Sequence, residues 1–127
     1  MVRILIADDH AIVREGLKRI VAEVPDLVVA AEAGDGEEAL EIVRRQSIDL
    51  VILDLSMPRK SGAEALRDIK REWPALPVLI LSMHSGEQYA KRMIQAGAAG
   101  YLSKESAPDE LINAIRKILA GGIYERP

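Results

Sequence analysis

Five short apolar runs recur along the chain, each separated from the next by a longer stretch whose apolar residues fall three and four apart. That alternation constrains the fold more than any other feature. The runs cover residues 2–7, 27–31, 50–53, 78–81 and 100–103; they are rich in Val, Ile and Leu and too short for stable helices. Val13, Leu17, Ile20, Val21 and Val24 form the inward stripe of a first helix, and Leu40 and Val43 that of a second. Ala65, Leu66 and Ile69 mark a third helix, and Tyr89, Ala90, Met93 and Ile94 a fourth that stops near Gly97. Leu111, Ala114, Ile115, Ile118 and Leu119 mark a fifth, ended by Gly121-Gly122. Pro25-Asp26 closes the first helix, Pro74 and Pro77 bracket the turn into the fourth strand, and Ser61 is an N-cap for the third helix. Strands that are apolar throughout, alternating with helices, predict an α/β domain whose parallel sheet is covered on both faces. At 127 residues there is room for one such domain, and with no Phe, one Trp and three Tyr its core must be aliphatic.

The chemistry should sit where these strands end. Ligands of open parallel sheets bind at the carboxyl ends of the strands, beside the point where strand order reverses. Asp8 and Asp9 follow the first run, Asp54 the third, Ser82 the fourth, and Lys104 the fifth. If the first and third strands are neighbours, three carboxylates share one pocket. Two unit charges 4 Å apart repel by roughly 4 kcal/mol at an effective dielectric near 20, so the pocket calls for a cation, and hard oxygen ligands suit Mg²⁺. A carboxylate can also attack phosphorus to give an acyl phosphate. Phosphoryl transfer needs positioning and cancellation of charge on the equatorial oxygens, which a metal, a lysine and a hydroxyl together supply. The formal net charge of −3 excludes a basic nucleic-acid footprint, and no run is long enough to cross a membrane or serve as a signal segment. Zero cysteines exclude disulfides, thiolate metal sites and cysteine nucleophiles, and fit a cytoplasmic setting.

Asp8-Asp9, Asp54-Leu55-Ser56-Met57-Pro58 with Gly62, Ser82, and Tyr101-Leu102-Ser103-Lys104 together resemble the receiver domains of bacterial two-component response regulators, over essentially the whole chain. The resemblance implies a doubly wound, flavodoxin-like sheet of five parallel strands in the order 2-1-3-4-5, with five helices. It implies that Asp54 is the phospho-acceptor and that Asp8, Asp9, Asp54 and the Ser56 backbone carbonyl hold Mg²⁺. Lys104 would pair with the phosphoryl group, Ser82 would be the switch hydroxyl, and Tyr101 the aromatic that changes exposure. The donor would be a sensor histidine kinase, and the domain would catalyse only its own phosphorylation and dephosphorylation. Glu105 stands directly after Lys104 where many receivers have proline, and Ala120-Gly121-Gly122-Ile123-Tyr124 closes the chain. Both features are similar to receivers of LuxR/NarL-type transcription factors. On that reading residues 1–122 form the receiver and 123–127 begin a linker to a helix-turn-helix output domain absent from this chain. DNA would be bound only through that domain, and phosphorylation would favour a homodimer.

Other readings compete. A stand-alone receiver acting through protein–protein contacts would share every site residue, and a degenerate receiver would serve only as an interaction module. A Mg²⁺-dependent phosphatase with Asp54 as nucleophile is a different class, but Asp54-Leu55-Ser56 lacks the second aspartate of a D-x-D motif. Asp9 could merely cap the first helix. Gly34-Asp35-Gly36-Glu37-Glu38-Ala39 matches a dinucleotide fingerprint formally, yet its acids would repel a pyrophosphate and instead suit the positive end of the second helix. His10 and His84 are expected to hydrogen-bond or face water, with His84, two residues past Ser82, a candidate for tuning phosphate lifetime. The charges of the first helix (Arg14, Glu15, Lys18, Arg19, Glu23) fit either a solvated face or a kinase-selecting one.

Overall fold

The computed structural model describes residues 1–83 and 86–126; His84 lies outside the described residues. The chain runs β1 (Val2–Ala7), α1 (Ala11–Ala22), β2 (Leu27–Ala33), α2 (Gly36–Arg45), β3 (Leu50–Asp54), α3 (Gly62–Glu72), β4 (Val78–Ser82), α4 (Glu87–Gln95) and β5 (Gly100–Ser103). A 3-10 turn at Lys104–Ser106 leads into α5 (Ala107–Leu119), and β6 (Tyr124–Arg126) closes the described chain. Every residue of β3, β4 and β5 is buried, as expected of central strands with helices on both faces. Alternate residues feed two apolar layers. Leu5, Val51, Leu53, Ile80 and Tyr101 pack with α2, α3 and α4. Ile4, Ile6, Ile52, Leu79, Leu81 and Leu102 pack with α1 and α5.

The sheet is parallel throughout, in the order β2-β1-β3-β4-β5-β6. The five strands and five helices expected from the alternation are present, and the 2-1-3-4-5 order with them. The expected strand count needs one correction: among the described residues the sheet has six strands. Tyr124–Arg126, read from the sequence as the start of a linker, pairs beside β5, with Gly100 opposite Tyr124 and Leu102 opposite Arg126. The pairing is tertiary in origin. The Tyr124 N–H donates to the Ala99 carbonyl at 3.0 Å, the Tyr124 hydroxyl bonds to the Glu110 carboxylate of α5, and Arg126 lies 3.6 Å from the same carboxylate. Gly100 makes room for it, since a Cβ there would stand 2.9 Å from the Tyr124 carbonyl oxygen and 2.8 Å from the Leu79 side chain.

Local chemistry sets the helix starts. Ser61 accepts from the Glu64 N–H while the Glu64 carboxylate accepts from the Ser61 N–H, a reciprocal cap that starts α3. Asp35 caps α2 through the Glu38 N–H, so the glycine-rich stretch is a turn and cap. Asp9 does not cap α1: the cap position is His10, and no side chain caps there. The Asp9 carboxylate is thus not consumed by the helix. Among the described residues no helix is long and apolar enough to cross a membrane.

Candidate functional site

Strand order reverses at β1, which lies between β2 and β3. Ala7 is paired with Leu53 across that junction, so the next residues, Asp8 and Asp54, emerge side by side. Both are buried, at 1% and 4% exposure, whereas Asp9 is exposed. Asp8, Asp9, His10 and Asp54 each offer a ligand atom, and these atoms all lie within 4.8 Å of one another. Gly62 allows β3 to end this way. Its N–H donates to the Leu55 carbonyl at 2.9 Å, and a Cβ at residue 62 would lie 2.1 Å from the Asp54 carbonyl oxygen, inside contact distance for any atom.

Lys104 reaches the same point from the far side of β4. Its ammonium lies 2.9 Å from Asp8 Oδ2 and 3.3 Å from Asp54 Oδ1. Three carboxylates against one ammonium leave the cluster two negative charges in excess, before any charge on His10. Burial, then the charge of Asp8, push the Asp54 carboxyl above its ordinary value; Lys104 and the Ser56 N–H, 3.4 Å from Asp54 Oδ1, offset this only in part. Burial alone would lower Lys104, but Asp8 and Asp54 more than reverse that and its pKa is raised. Asp8 Oδ2, buried with the rest of the side chain, thus has the Lys104 ammonium as its charge partner. A pocket of surplus negative charge, in which Asp8, Asp9 and Asp54 bring carboxylate oxygens within 4.8 Å of one another, fits a small hard divalent cation.

Ser82 ends β4, one residue beyond the partner of Asp54, and is 1% exposed. Tyr101 lies one step back from the rim, opposite Ile80. Its ring is wholly buried, burial raises the pKa of its phenol, and a hydrogen bond with Ser82 opposes that rise. The hydroxyl and the aromatic expected at the switch are therefore already joined, with the ring inward.

Three residues matter here that look in the sequence like surface charges or loop groups. Arg14 donates through Nη1 to the Asp8 backbone carbonyl at 2.5 Å and through Nε to Glu32 at 3.1 Å, tying the end of β1 to β2. Lys18 donates to the other oxygen of Glu32 at 2.9 Å. The His10 ring, expected only to bond locally or face water, lies against the acidic cluster, with Nδ1 3.3 Å from Asp8 Oδ1 and 3.1 Å from Asp9 Oδ1. A groove of about 890 Å³, lined by Val2, Asp49, Lys70, Pro77 and Ala99 among others, opens at the opposite end of the strands and includes none of these site residues.

The model of the response regulator receiver domain family matches residues 4–116. The chain is 42% identical over 126 residues to the transcriptional regulatory protein DegU of Brevibacillus brevis, covering 99% of this chain and 53% of that protein. It is 40% identical over 124 residues to the response regulator UvrY of Escherichia coli, covering 98% and 57% respectively. The crystal structure of a LuxR-family two-component response regulator from Aurantimonas sp. SI85-9A1 superposes with a TM-score of 0.93 at 43% identity, over 98% of this chain and 89% of that one. The chain spans little more than half the length of these curated relatives. With a family model over most of its length and relatives of this kind, the chain belongs to the response regulator receiver domains, in their LuxR/NarL-type branch.

Proposed function

We propose that Asp54 accepts a phosphoryl group from the phosphohistidine of a sensor histidine kinase in the cytoplasm. The observation that carries this reading is the Lys104 ammonium, 2.9 Å from Asp8 and 3.3 Å from Asp54 at the carboxyl ends of three strands. An Asp54 carboxylate oxygen attacks phosphorus, the P–N bond breaks, and the imidazole leaves with the electron pair, giving an aspartyl phosphate. Asp8, Asp9, Asp54 and the Ser56 carbonyl would hold Mg²⁺, which supplies charge neutralisation for the phosphoryl oxygens. Lys104 exchanges its contact with Asp54 for one with a phosphoryl oxygen, while Arg14 keeps the Asp8 carbonyl in place. Beyond this self-directed chemistry the domain turns over no substrate.

The new group brings about −1.5 to −2 charges and three strong acceptors. Ser82 and Tyr101 are hydrogen-bonded, so a Ser82 hydroxyl drawn toward a phosphoryl oxygen alters the contact that ties the two residues. A change from 1:99 to 99:1 needs roughly 5.5 kcal/mol. Two or three charge-assisted hydrogen bonds at about 1.5–3 kcal/mol each reach that range. The output is transcriptional, in keeping with the name of one relative, a transcriptional regulatory protein; a phosphorylated homodimer would position a helix-turn-helix domain on DNA. Acetyl phosphate with Mg²⁺ should load one phosphoryl group per chain, and EDTA should prevent it. Loading that persists in EDTA, or in Lys104→Ala at the wild-type rate, overturns the reading.

A further inference from the structure

Among the described residues Arg59 alone, glycines apart, has a left-handed backbone, at φ 62°. L side chains rarely adopt that conformation, and glycine would meet it freely. Such an outlier persists only when its surroundings hold it. The Arg59 guanidinium pairs with Asp35 Oδ2, while Asp35 Oδ1 accepts from the Glu38 N–H at the start of α2. The Asp35 side chain is 4% exposed, although Arg59 itself stands largely in solvent. The next residues make a second contact across the same two loops. The Gly36 N–H donates to the Lys60 carbonyl at 3.2 Å, and a Cβ at residue 36 would lie 2.4 Å from that oxygen. Glycine at 36 thus lets the loop after β3 lie against the first turn of α2, and arginine at 59 fastens it there.

The loop so fastened is the one that leaves the acidic site. It starts at Asp54, with the Ser56 N–H 3.4 Å from Asp54 Oδ1, and closes where the Gly62 N–H donates to the Leu55 carbonyl at 2.9 Å. Leu55 and Met57 pack against the core, whereas Ser56, Pro58 and Arg59 are exposed. Lys60 ties the loop back to its own helix through Asp68 at 2.5 Å, while Asp35 and Gly36 tie it to a separate element. We infer that Arg59 is a positioning residue for phosphorylation: held by Asp35, it keeps the loop after β3, and with it the Ser56 carbonyl, in place to hold the metal. This role rests on the proposed functions of Ser56 in holding Mg²⁺ and of Asp54 as acceptor. A loop fixed in advance loses less freedom when the ion binds, so the clasp acts on metal affinity.

Two substitutions separate this role from a merely structural one. Arg59→Gly suits the left-handed backbone while removing the guanidinium, and Asp35→Asn keeps an oxygen for the α2 cap while removing the charge. In EDTA, amide exchange at Gly36 should quicken by about fivefold or more in Arg59→Gly, with the β4 amides unchanged. A Mg²⁺ titration followed by amide NMR shifts should show affinity about fivefold weaker, short of the roughly 10- to 100-fold loss when a group bonded directly to a ligand is removed. Labelling from acetyl phosphate should slow at low Mg²⁺ and return to within about twofold of wild type at saturating Mg²⁺, and the double variant should be no worse than the worse single one. Unchanged Gly36 exchange or Mg²⁺ affinity in Arg59→Gly, a labelling rate that saturating Mg²⁺ does not restore, or losses that multiply in the double variant would each overturn the role of Arg59. Failure of wild type to bind Mg²⁺ or to be labelled would instead defeat the phosphoryl-accepting function, and the role of Arg59 with it.

Discussion

Replacing Asp54 by Asn should stabilise the metal-free protein. Asp8 and Asp9 each hold a carboxylate oxygen within 4.8 Å of one on Asp54. At an effective dielectric of 20, each such pair repels by about 3.5 kcal/mol, roughly 7 together. Lys104, at 3.3 Å, attracts Asp54 by about 5 kcal/mol on the same scale. Removing the charge therefore leaves a net gain of about 2 kcal/mol, and release from burying an ion acts in the same direction. The pH dependence has a definite sign. The folded pKa of Asp54 is raised above 3.8, so the variant's advantage is complete above that raised value. It shrinks as pH falls through it and is gone below 3.8, where both states are protonated. Urea unfolding in EDTA at neutral pH should show a higher midpoint for Asp54→Asn with an unchanged slope. Mg²⁺ at a hundredfold excess over Kd should then add about 2.7 kcal/mol to wild type and less to the variant. A lower midpoint for Asp54→Asn in EDTA at neutral pH would refute the electrostatic reasoning.

Other contacts yield sharper local expectations. Gly62→Ala forces a methyl to 2.1 Å from the Asp54 carbonyl and should cost about 1–3 kcal/mol in urea unfolding while also weakening Mg²⁺ binding, because the same loop carries Ser56. Ser61→Ala removes one half of the α3 cap and should cost about 1 kcal/mol without altering metal affinity. Arg116 makes two hydrogen bonds of 2.7 Å to Asp26, whose pKa is lowered from 3.8 to about 2 chiefly by that bonding. Because the pKa is depressed on folding, this stability is present above 3.8 and lost as pH falls through about 2. Wild type and Arg116→Met should accordingly differ in unfolding midpoint at neutral pH, converge towards pH 2, and differ less at high salt.

The legible parts were those written in local pattern. A buried strand that meets solvent at a carboxylate shows its end in the sequence, so Asp8 and Asp54 read as strand-end groups that meet once β1 pairs with β3. The Ser-x-x-Glu spacing at Ser61 and Glu64 likewise announces a cap. What stayed hidden depends on neighbours remote in the chain. Three residues, two of them charged, carry no strand period, and β6 forms only because Ala99, Gly100 and Glu110 receive it. Arg14 looks like any surface arginine until the rotation of α1 aims it at the Asp8 carbonyl. Arg59 adopts a left-handed backbone (φ 62°), which favours glycine, and its guanidinium pairs with Asp35 across two loops. Nothing in Met57-Pro58-Arg59-Lys60 signals that contact. The position of His10 could have been suspected from adjacency alone, but only the turn closed by Asp8 Oδ1 brings its ring to the carboxylates.

Asp54 is the residue on which phosphorylation can be tested most directly. Wild type loaded from acetyl phosphate with Mg²⁺ can be reduced with borohydride, which converts an aspartyl phosphate to homoserine, and then mapped by peptide mass spectrometry. Homoserine is expected at position 54 alone, with no incorporation in Asp54→Asn. Conversion at Asp8 or Asp9, or stoichiometric loading of Asp54→Asn, would contradict it.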